Sequence, residues 1–140
     1  MTTPGTGCEL HAQISEKDSD TRHFLYDFNS PYAYLAATRV DEMLPVTPRW
    51  QPIAFAFLLR AHNRSPWSFD EHERRSGIRE CERRAAAYGL PSMRWPPGWP
   101  IKSYGLTSLR AAIVANHHGL LHEFSRAAFA RNFVYGLGLK

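Results

Sequence analysis

The stretch that sets the architecture of this chain is RHFLYDFNSPYAYLAATRVDEM, residues 22–43. Residues 22–28 are mostly aromatic and apolar, which favours a β-strand. Asn29-Ser30-Pro31 ends that strand, and proline suits the first position of a helix because its missing N–H needs no partner there. Ser30 then occupies the N-cap, where its hydroxyl can accept a hydrogen bond from a free backbone N–H. The pattern predicts a helix over residues 31–43 whose buried face contains Tyr32, Leu35, Ala36, Val40 and Met43.

A second strand is predicted on the far side of this helix. Pro45 and Pro48 end the helix, and residues 49–55 have strand character, with Pro52 indicating an edge position or an early end. Strand, helix and strand in this order predict a parallel βαβ unit. Helical segments follow at 55–60, 67–88, 104–118 and 120–135, interrupted by the aromatic loop WPPGWP at 95–100. We therefore expect an α/β fold with a helical insertion.

Length and composition narrow the classes of protein. The chain has 140 residues, 44% of them hydrophobic, and a net charge of +4, which suit one soluble domain. No apolar stretch approaches the roughly 20 residues of a membrane span, so no membrane partner is expected. The basic residues form no dense stripe with aromatic residues, so no nucleic-acid partner is expected. Residues 1–21 are predicted to be a flexible tail. They show no signal-peptide pattern, which predicts a cytoplasmic protein.

Ser30 carries the most informative chemistry in the sequence. A serine at a helix start either caps the helix or also donates a hydrogen bond to the sulfur of a bound thiol cofactor. A thiol–disulfide oxidoreductase is excluded because the two cysteines form no CxxC motif. No metal site is expected, because Gly119 separates His118 from His122 and ends the helix that would place them on one face.

Three features of the helical insertion need a separate interpretation. Trp95 and Trp99 lie in a loop with three prolines, and they either pack in the core or form the wall of a pocket for an aromatic substrate. Cys81 shares an apolar helix face with Ile78 and Ala85, which predicts an inert core residue. The arginines of the same helix alternate with glutamates, which favours a solvated face over a site for an acidic partner.

The string YDFNSPYAYLA, residues 26–36, resembles the start of the 2-hydroxychromene-2-carboxylate isomerase family, which is related to the kappa-class glutathione transferases. These proteins belong to the DsbA-like branch of the thioredoxin fold. Their signature is a strand ending in Asp-Phe, then Ser-Pro-aromatic and Tyr-Leu-Ala. The resemblance continues at AHN (61–63), SPW (65–67), YGLP (88–91) and WP (99–100), and it covers residues 22–138.

The resemblance implies an activity and a set of site residues. It implies glutathione as the cofactor and an aromatic carboxylate as the small-molecule substrate, whose double bond undergoes cis–trans isomerisation through a glutathione adduct. Ser30 would be the catalytic residue, because its hydroxyl would bind the glutathione sulfur. The implied glutathione-binding residues are Ser30, Pro31 and Asn63. The candidate substrate-binding residues are Tyr32, Trp95 and Trp99.

The resemblance also implies a longer chain than this one. Family members continue with two antiparallel strands, a last helix and a Val-Pro turn with a cis-proline, whereas no proline follows Pro100 here. We therefore expect residues 22–140 to form an incomplete, C-terminally truncated thioredoxin-like (DsbA-like) domain. Its uncovered apolar surface predicts self-association or a homodimer. Two function classes stay open: a glutathione-dependent isomerase or transferase, whose activity the truncation puts in doubt, or a non-catalytic remnant or interaction module.

Overall fold

The computed structural model describes residues 21–140. Residues 1–20, nearly all of the tail predicted over residues 1–21, lie outside the described residues. The helices and strands, in chain order, are β1 (His23–Tyr26), α1 (Pro31–Ala37), α2 (Val40–Met43), β2 (Arg49–Pro52), α3 (Phe55–Ala61), α4 (Glu71–Ala87), α5 (Thr107–His117) and α6 (Leu121–Phe133). A short 3-10 turn (Trp67–Phe69) precedes α4.

The two strands form a parallel sheet in which His23 lies opposite Arg49. Parallel strands require a crossover connection, which α1 and α2 provide, so the predicted βαβ unit is confirmed. Tyr26 packs against Trp50 of the neighbouring strand, with ring centroids 5.4 Å apart. Leu25 points to the opposite face of the sheet and is exposed. The sheet therefore has one face in the core and one face uncovered within the described residues.

Both strands are shorter than the sequence pattern predicted. β1 ends at Tyr26 because the chain turns at once: the Ser30 N–H donates to the carbonyl oxygen of Asp27 over 3.0 Å. β2 ends at Pro52, where proline has no N–H to continue the ladder. The Ile53 N–H makes one last contact with the Tyr26 carbonyl oxygen, at 2.8 Å.

The single helix predicted over residues 31–43 is wrong in its length and in its buried face. The Thr38 hydroxyl donates to the Leu35 carbonyl oxygen at 2.7 Å, a side-chain bond that competes with the helical ladder. Arg39 leaves helical geometry, with φ −133° and ψ −20°, and α2 starts at the next residue. The residues that α1 buries are Pro31, Tyr34, Leu35 and Ala37. Of the predicted face, Tyr32, Ala36 and Met43 are exposed instead.

The orientation of α1 follows from its contact with α6. The Tyr34 ring lies 5.7 Å from the ring of Phe133 and 6.2 Å from that of Phe129. Tyr34 is therefore the buried tyrosine of α1, whereas the sequence pattern had predicted Tyr32 for the buried face. Because α1 carries apolar residues on every side, its own periodicity could not decide which stripe faces the core.

The core is built mainly from aromatic rings between the sheet and α6. Phe28 and Phe129 are almost fully buried, and their ring centroids are 5.5 Å apart. Two buried polar contacts join the layers. The Tyr26 and Ser125 hydroxyl oxygens are 2.6 Å apart, and the Asn132 amide donates to the Phe28 carbonyl oxygen at 2.9 Å. Buried polar groups paired in this way fix α6 against β1.

The helical insertion contains the expected helices in the expected order. Asp70 caps α4 by accepting from the Glu73 N–H at 2.8 Å, so α4 begins four residues later than predicted, after the 3-10 turn. Cys81 and Ala85 are buried on one face of α4, which confirms the prediction of a core cysteine. No helix within residues 21–140 is long and apolar enough to cross a membrane.

Candidate functional site

A cavity of about 540 Å³ lies beyond the C-terminal ends of β1 and β2. This is the edge of an α/β sheet at which ligands ordinarily bind, and the volume is typical of small-molecule sites. Its aromatic lining residues are Phe55, Trp67, Phe69, Trp99 and Tyr104. Its polar lining residues are Asp27, Asn29, Ser30, Arg64, Ser65, Ser68 and Glu73. A flat apolar ligand with a few polar groups suits this lining.

Ser30 lies in the cavity wall and caps α1. Its hydroxyl oxygen accepts a hydrogen bond from the Ala33 N–H at 3.1 Å, and Pro31 forms the first helical residue. Both residues line the cavity. A hydroxyl group that accepts one bond keeps its own hydrogen to donate. Since α1 has only seven residues, the argument that Ser30 could bind a ligand rests on this hydroxyl hydrogen and not on a helix dipole.

Asp27 is a residue of the site that the sequence analysis did not single out. One carboxylate oxygen accepts from the Asn29 N–H and the other from the Phe55 N–H, each at 2.9 Å. The side chain thereby ties the β1–α1 turn to the start of α3. Burial raises the pKa of the Asp27 carboxyl group, although the two N–H donors act against that shift. An aspartate whose side chain accepts from the backbone N–H two residues on forms an Asx turn. The Asp27-Phe28-Asn29 sequence permits such a turn, so this signal was available in the sequence.

The loop that carries Trp99 is tied to the same turn. The Trp99 indole N–H donates to the Asn29 carbonyl oxygen at 3.0 Å, and the Asn29 amide donates to the Pro100 carbonyl oxygen at 2.9 Å. Ser103 adds a third contact, from its hydroxyl to the Asn29 side-chain oxygen at 2.8 Å. The peptide bond between Trp99 and Pro100 is cis. These contacts place Trp99 on the cavity wall beside Ser30, so it both packs and lines the cavity.

The other candidate residues are not among the residues that line the cavity. The Trp95 ring packs on that of Trp99, with a centroid distance of 4.8 Å. Tyr32 is 38% exposed, and its ring contacts Trp67 with a centroid distance of 5.7 Å. Asn63 is exposed and forms the turn after α3 with a φ of 52°. The structure thus brings Ser30, Pro31 and Trp99 together at the cavity. The binding roles of all six candidate residues stay predictions.

Tyr104 is a second lining residue that sequence reasoning missed. Its hydroxyl oxygen is buried and has no hydrogen-bond partner among the described residues. Burial, assisted by the negative charge of Asp27, raises the pKa of Tyr104 to about 12. The phenol is therefore protonated at neutral pH. No sequence signal marks this tyrosine, because only the tertiary fold brings it near Asp27.

Residues 21–140 contain no group of three or more histidine, cysteine or carboxylate side chains that could hold a metal ion. His118 lies just past the end of α5, while His122 belongs to α6. The His122 ring instead packs against Trp50 with a centroid distance of 4.5 Å.

The fold and the location of the cavity define the class of the domain as a partial DsbA-like thioredoxin fold. Among solved structures, the chain is similar to that of 2-hydroxychromene-2-carboxylate isomerase, with a TM-score of 0.68 and 20% sequence identity over 83% of this chain. The chain spans 57% of the length of that isomerase. No family model and no curated protein matches the sequence. The resemblance found in the sequence is therefore confirmed for the fold.

Proposed function

We propose that this protein is a glutathione-dependent isomerase of the 2-hydroxychromene-2-carboxylate isomerase type, acting on an aromatic 2-oxo acid in the cytoplasm. The observation that carries the proposal is the Ser30 hydroxyl in the wall of an aromatic-lined cavity at the C-terminal ends of the strands. The similarity to a solved isomerase of this fold supports it. The residues fit a thiol cofactor, because Ser30 keeps a hydrogen to donate and the cavity is large enough for a small ligand.

Glutathione, when bound, supplies a thiolate that adds reversibly to the unsaturated acid and so lets the former double bond rotate. The role of Ser30 is to donate its hydroxyl hydrogen to the sulfur, which stabilises the charged form. Asp27 holds the Ser30 turn in place through two backbone N–H groups. Trp67 and Trp99 present flat faces to the aromatic part of the substrate. Their ring centroids are 5.9 Å apart.

The residues outside the lining have supporting roles in this proposal. Tyr32 contacts Trp67 and Trp95 contacts Trp99, so each holds one aromatic wall from behind. Pro31 fixes the backbone next to Ser30 and faces the same cavity. Asn63 ends α3 beside the cavity-lining segment that begins at Arg64, where it would assist glutathione binding.

The experiment is a comparison of Ser30→Ala with Ser30→Thr. Threonine keeps both the helix cap and the donor, whereas alanine removes both. One hydrogen bond to a charged acceptor is worth about 1.5–3 kcal/mol. Ser30→Ala should therefore raise the pKa of bound glutathione by on the order of one to two units, and Ser30→Thr should not. Thiolate absorbance against pH measures the shift, and turnover of 2-hydroxychromene-2-carboxylate with glutathione measures the activity. Equal thiol pKa values in the two variants would reduce Ser30 to a helix cap.

A second candidate function is a non-catalytic interaction module, and α3 favours it. This helix contains no buried residue, and Phe57 and Leu58 are each about half exposed. Apolar surface of this kind marks interaction sites, and a second copy of the chain is the partner we propose. Size-exclusion chromatography with light scattering tests the homodimer. A monodisperse monomer at high concentration would count against this candidate.

A further inference from the structure

Arg64 is the one basic residue among the described residues that line the cavity. It lies in the segment between α3 and the 3-10 turn. No ion pair within residues 21–140 involves it. Arg64 is exposed, and a ligand that covers its guanidinium group would exclude water from one side of it and so strengthen its attraction to an anion. The cavity therefore offers a positive group that the protein itself does not neutralise with a close carboxylate.

The position of Arg64 is fixed by the way α3 ends. The Arg64 N–H donates to the Leu59 carbonyl oxygen at 2.8 Å, and the Asn63 N–H donates to the Arg60 carbonyl oxygen at 3.0 Å. Asn63 adopts a φ of 52°. These two bonds around a left-handed residue form a Schellman motif, in which glycine or asparagine is preferred. Asn63 thus turns the chain so that the next residue lines the cavity.

The acidic residues of the lining are Asp27, whose carboxylate accepts from two backbone N–H groups, and Glu73. Neither forms an ion pair with Arg64. Glu73 is exposed in the first turn of α4. A ligand carboxylate can therefore approach Arg64 without displacing a protein carboxylate from it. The planar fork of an arginine suits a carboxylate, which it can bind through two parallel N–H donors.

We propose that Arg64 is the carboxylate anchor of the cavity and that Asn63 is its positioning residue. The ligand is an organic carboxylate, and the carboxylate belongs either to glutathione or to the aromatic acid. The inference rests on the proposed function only in taking these two molecules as the ligands. It changes the role of Asn63 from a direct contact with glutathione to the support of its neighbour.

The test measures the binding of four probes by calorimetry on the full chain. Two probes carry carboxylates, glutathione and 2-naphthoate, and two are their counterparts without a carboxylate, glutathione diethyl ester and 2-naphthamide. Arg64→Gln should weaken one carboxylate probe about tenfold, the factor that corresponds to 1.4 kcal/mol, and should not weaken its carboxylate-free counterpart. Arg60→Gln is the matched control, because this arginine lies four positions earlier, in α3, is exposed as Arg64 is, and is not among the lining residues.

Variants of Asn63 separate positioning from contact. Asn63→Gly keeps the left-handed turn and should retain carboxylate binding, whereas Asn63→Val should lose as much as Arg64→Gln. A thermal melt confirms that each variant is folded. Equal loss in Asn63→Gly and Asn63→Val would assign the asparagine side chain to the ligand and contradict its positioning role.

The outcomes distinguish this inference from the proposed function. A loss confined to glutathione identifies the tripeptide as the source of the carboxylate, and a loss confined to 2-naphthoate identifies the aromatic acid. Binding of 2-naphthoate that depends on Arg64, without any glutathione binding, supports the anchor and counts against the isomerase. Glutathione binding that is unchanged in Arg64→Gln, with 2-naphthoate also unchanged, overturns the anchor alone. The anchor is also overturned if the probes with and without a carboxylate weaken equally, or if folded wild-type protein binds neither carboxylate probe.

Discussion

Gly77 is a point of close contact between the helical insertion and a residue that lines the cavity. It lies inside α4, and Trp67, which lines the cavity, packs directly over it. A Cβ atom added at Gly77 would lie 2.3 Å from Cζ3 and 2.6 Å from Cη2 of the Trp67 ring. Ordinary contacts of this kind are 3.4–4 Å, so Gly77→Ala must push the indole away from the helix.

The expected change in stability is the balance of two effects. Alanine in a helix interior is favoured over glycine by about 1 kcal/mol, whereas overpacking typically destabilises by about 1–3 kcal/mol. The Trp67 ring can yield on its cavity side, which keeps the overpacking cost near the middle of that range, at about 2 kcal/mol. We expect a net destabilisation of about 1 kcal/mol, which lowers the melting temperature by roughly 3–5 °C for a domain of this size.

The assay combines a thermal melt with ligand binding. Gly77→Ala should lower the melting temperature and also weaken the binding of an aromatic acid, because the displaced indole occupies part of the cavity. Gly105→Ala is the control: a Cβ atom there meets nothing within 4 Å, and the substitution should leave stability unchanged or slightly increased. A melting temperature that rises in Gly77→Ala, as for an ordinary helical glycine, would refute the close contact with Trp67.

Two further predictions concern buried titratable groups. Burial raises the pKa of Asp27 above its ordinary value of 3.8, so the folded state binds this proton more tightly than the unfolded state. The contribution of Asp27 to stability is therefore greatest at low pH and falls as the pH rises through the raised pKa. Asp27→Asn should flatten this part of the stability curve measured by urea unfolding, and a steeper fall in the variant would contradict the assignment. Burial also raises the pKa of the Cys81 thiol to about 11. In a Cys8→Ser background, a thiol reagent at neutral pH should label the protein only as it unfolds, and rapid labelling of the folded chain would show that Cys81 is accessible.

Local chemistry in the sequence was sufficient for much of the fold. Ser30 and Pro31 mark a helix start because capping and the fixed φ of proline act within a few residues, and the structure has that cap. The order of strand, helix and strand along the chain predicted the parallel pair, because a helix between two strands serves as their crossover connection. Cys81 and Ala85 could be placed in the core from their spacing, because the polar residues of α4 leave one apolar face.

The site depended on contacts between residues that are distant in the chain. The Asp27 side chain reaches the Phe55 N–H across 28 positions, and Trp99 reaches the Asn29 backbone across 70 positions. The periodicity of a sequence relates only residues a few positions apart and cannot predict such contacts. The sequence therefore indicated Ser30 and Trp99 as candidate residues without showing that they line the same cavity. The choice of Tyr34 over Tyr32 for the core had the same origin, since the aromatic rings of α6 selected one of two apolar stripes on α1. Apart from the break at Arg39 that divides α1 from α2, sequence thus determined where the elements begin and end to within a few residues, because capping, turn chemistry and periodicity act locally. Only packing decided which side chains meet in the cavity, because the free energy of burial depends on the whole surface that each element covers.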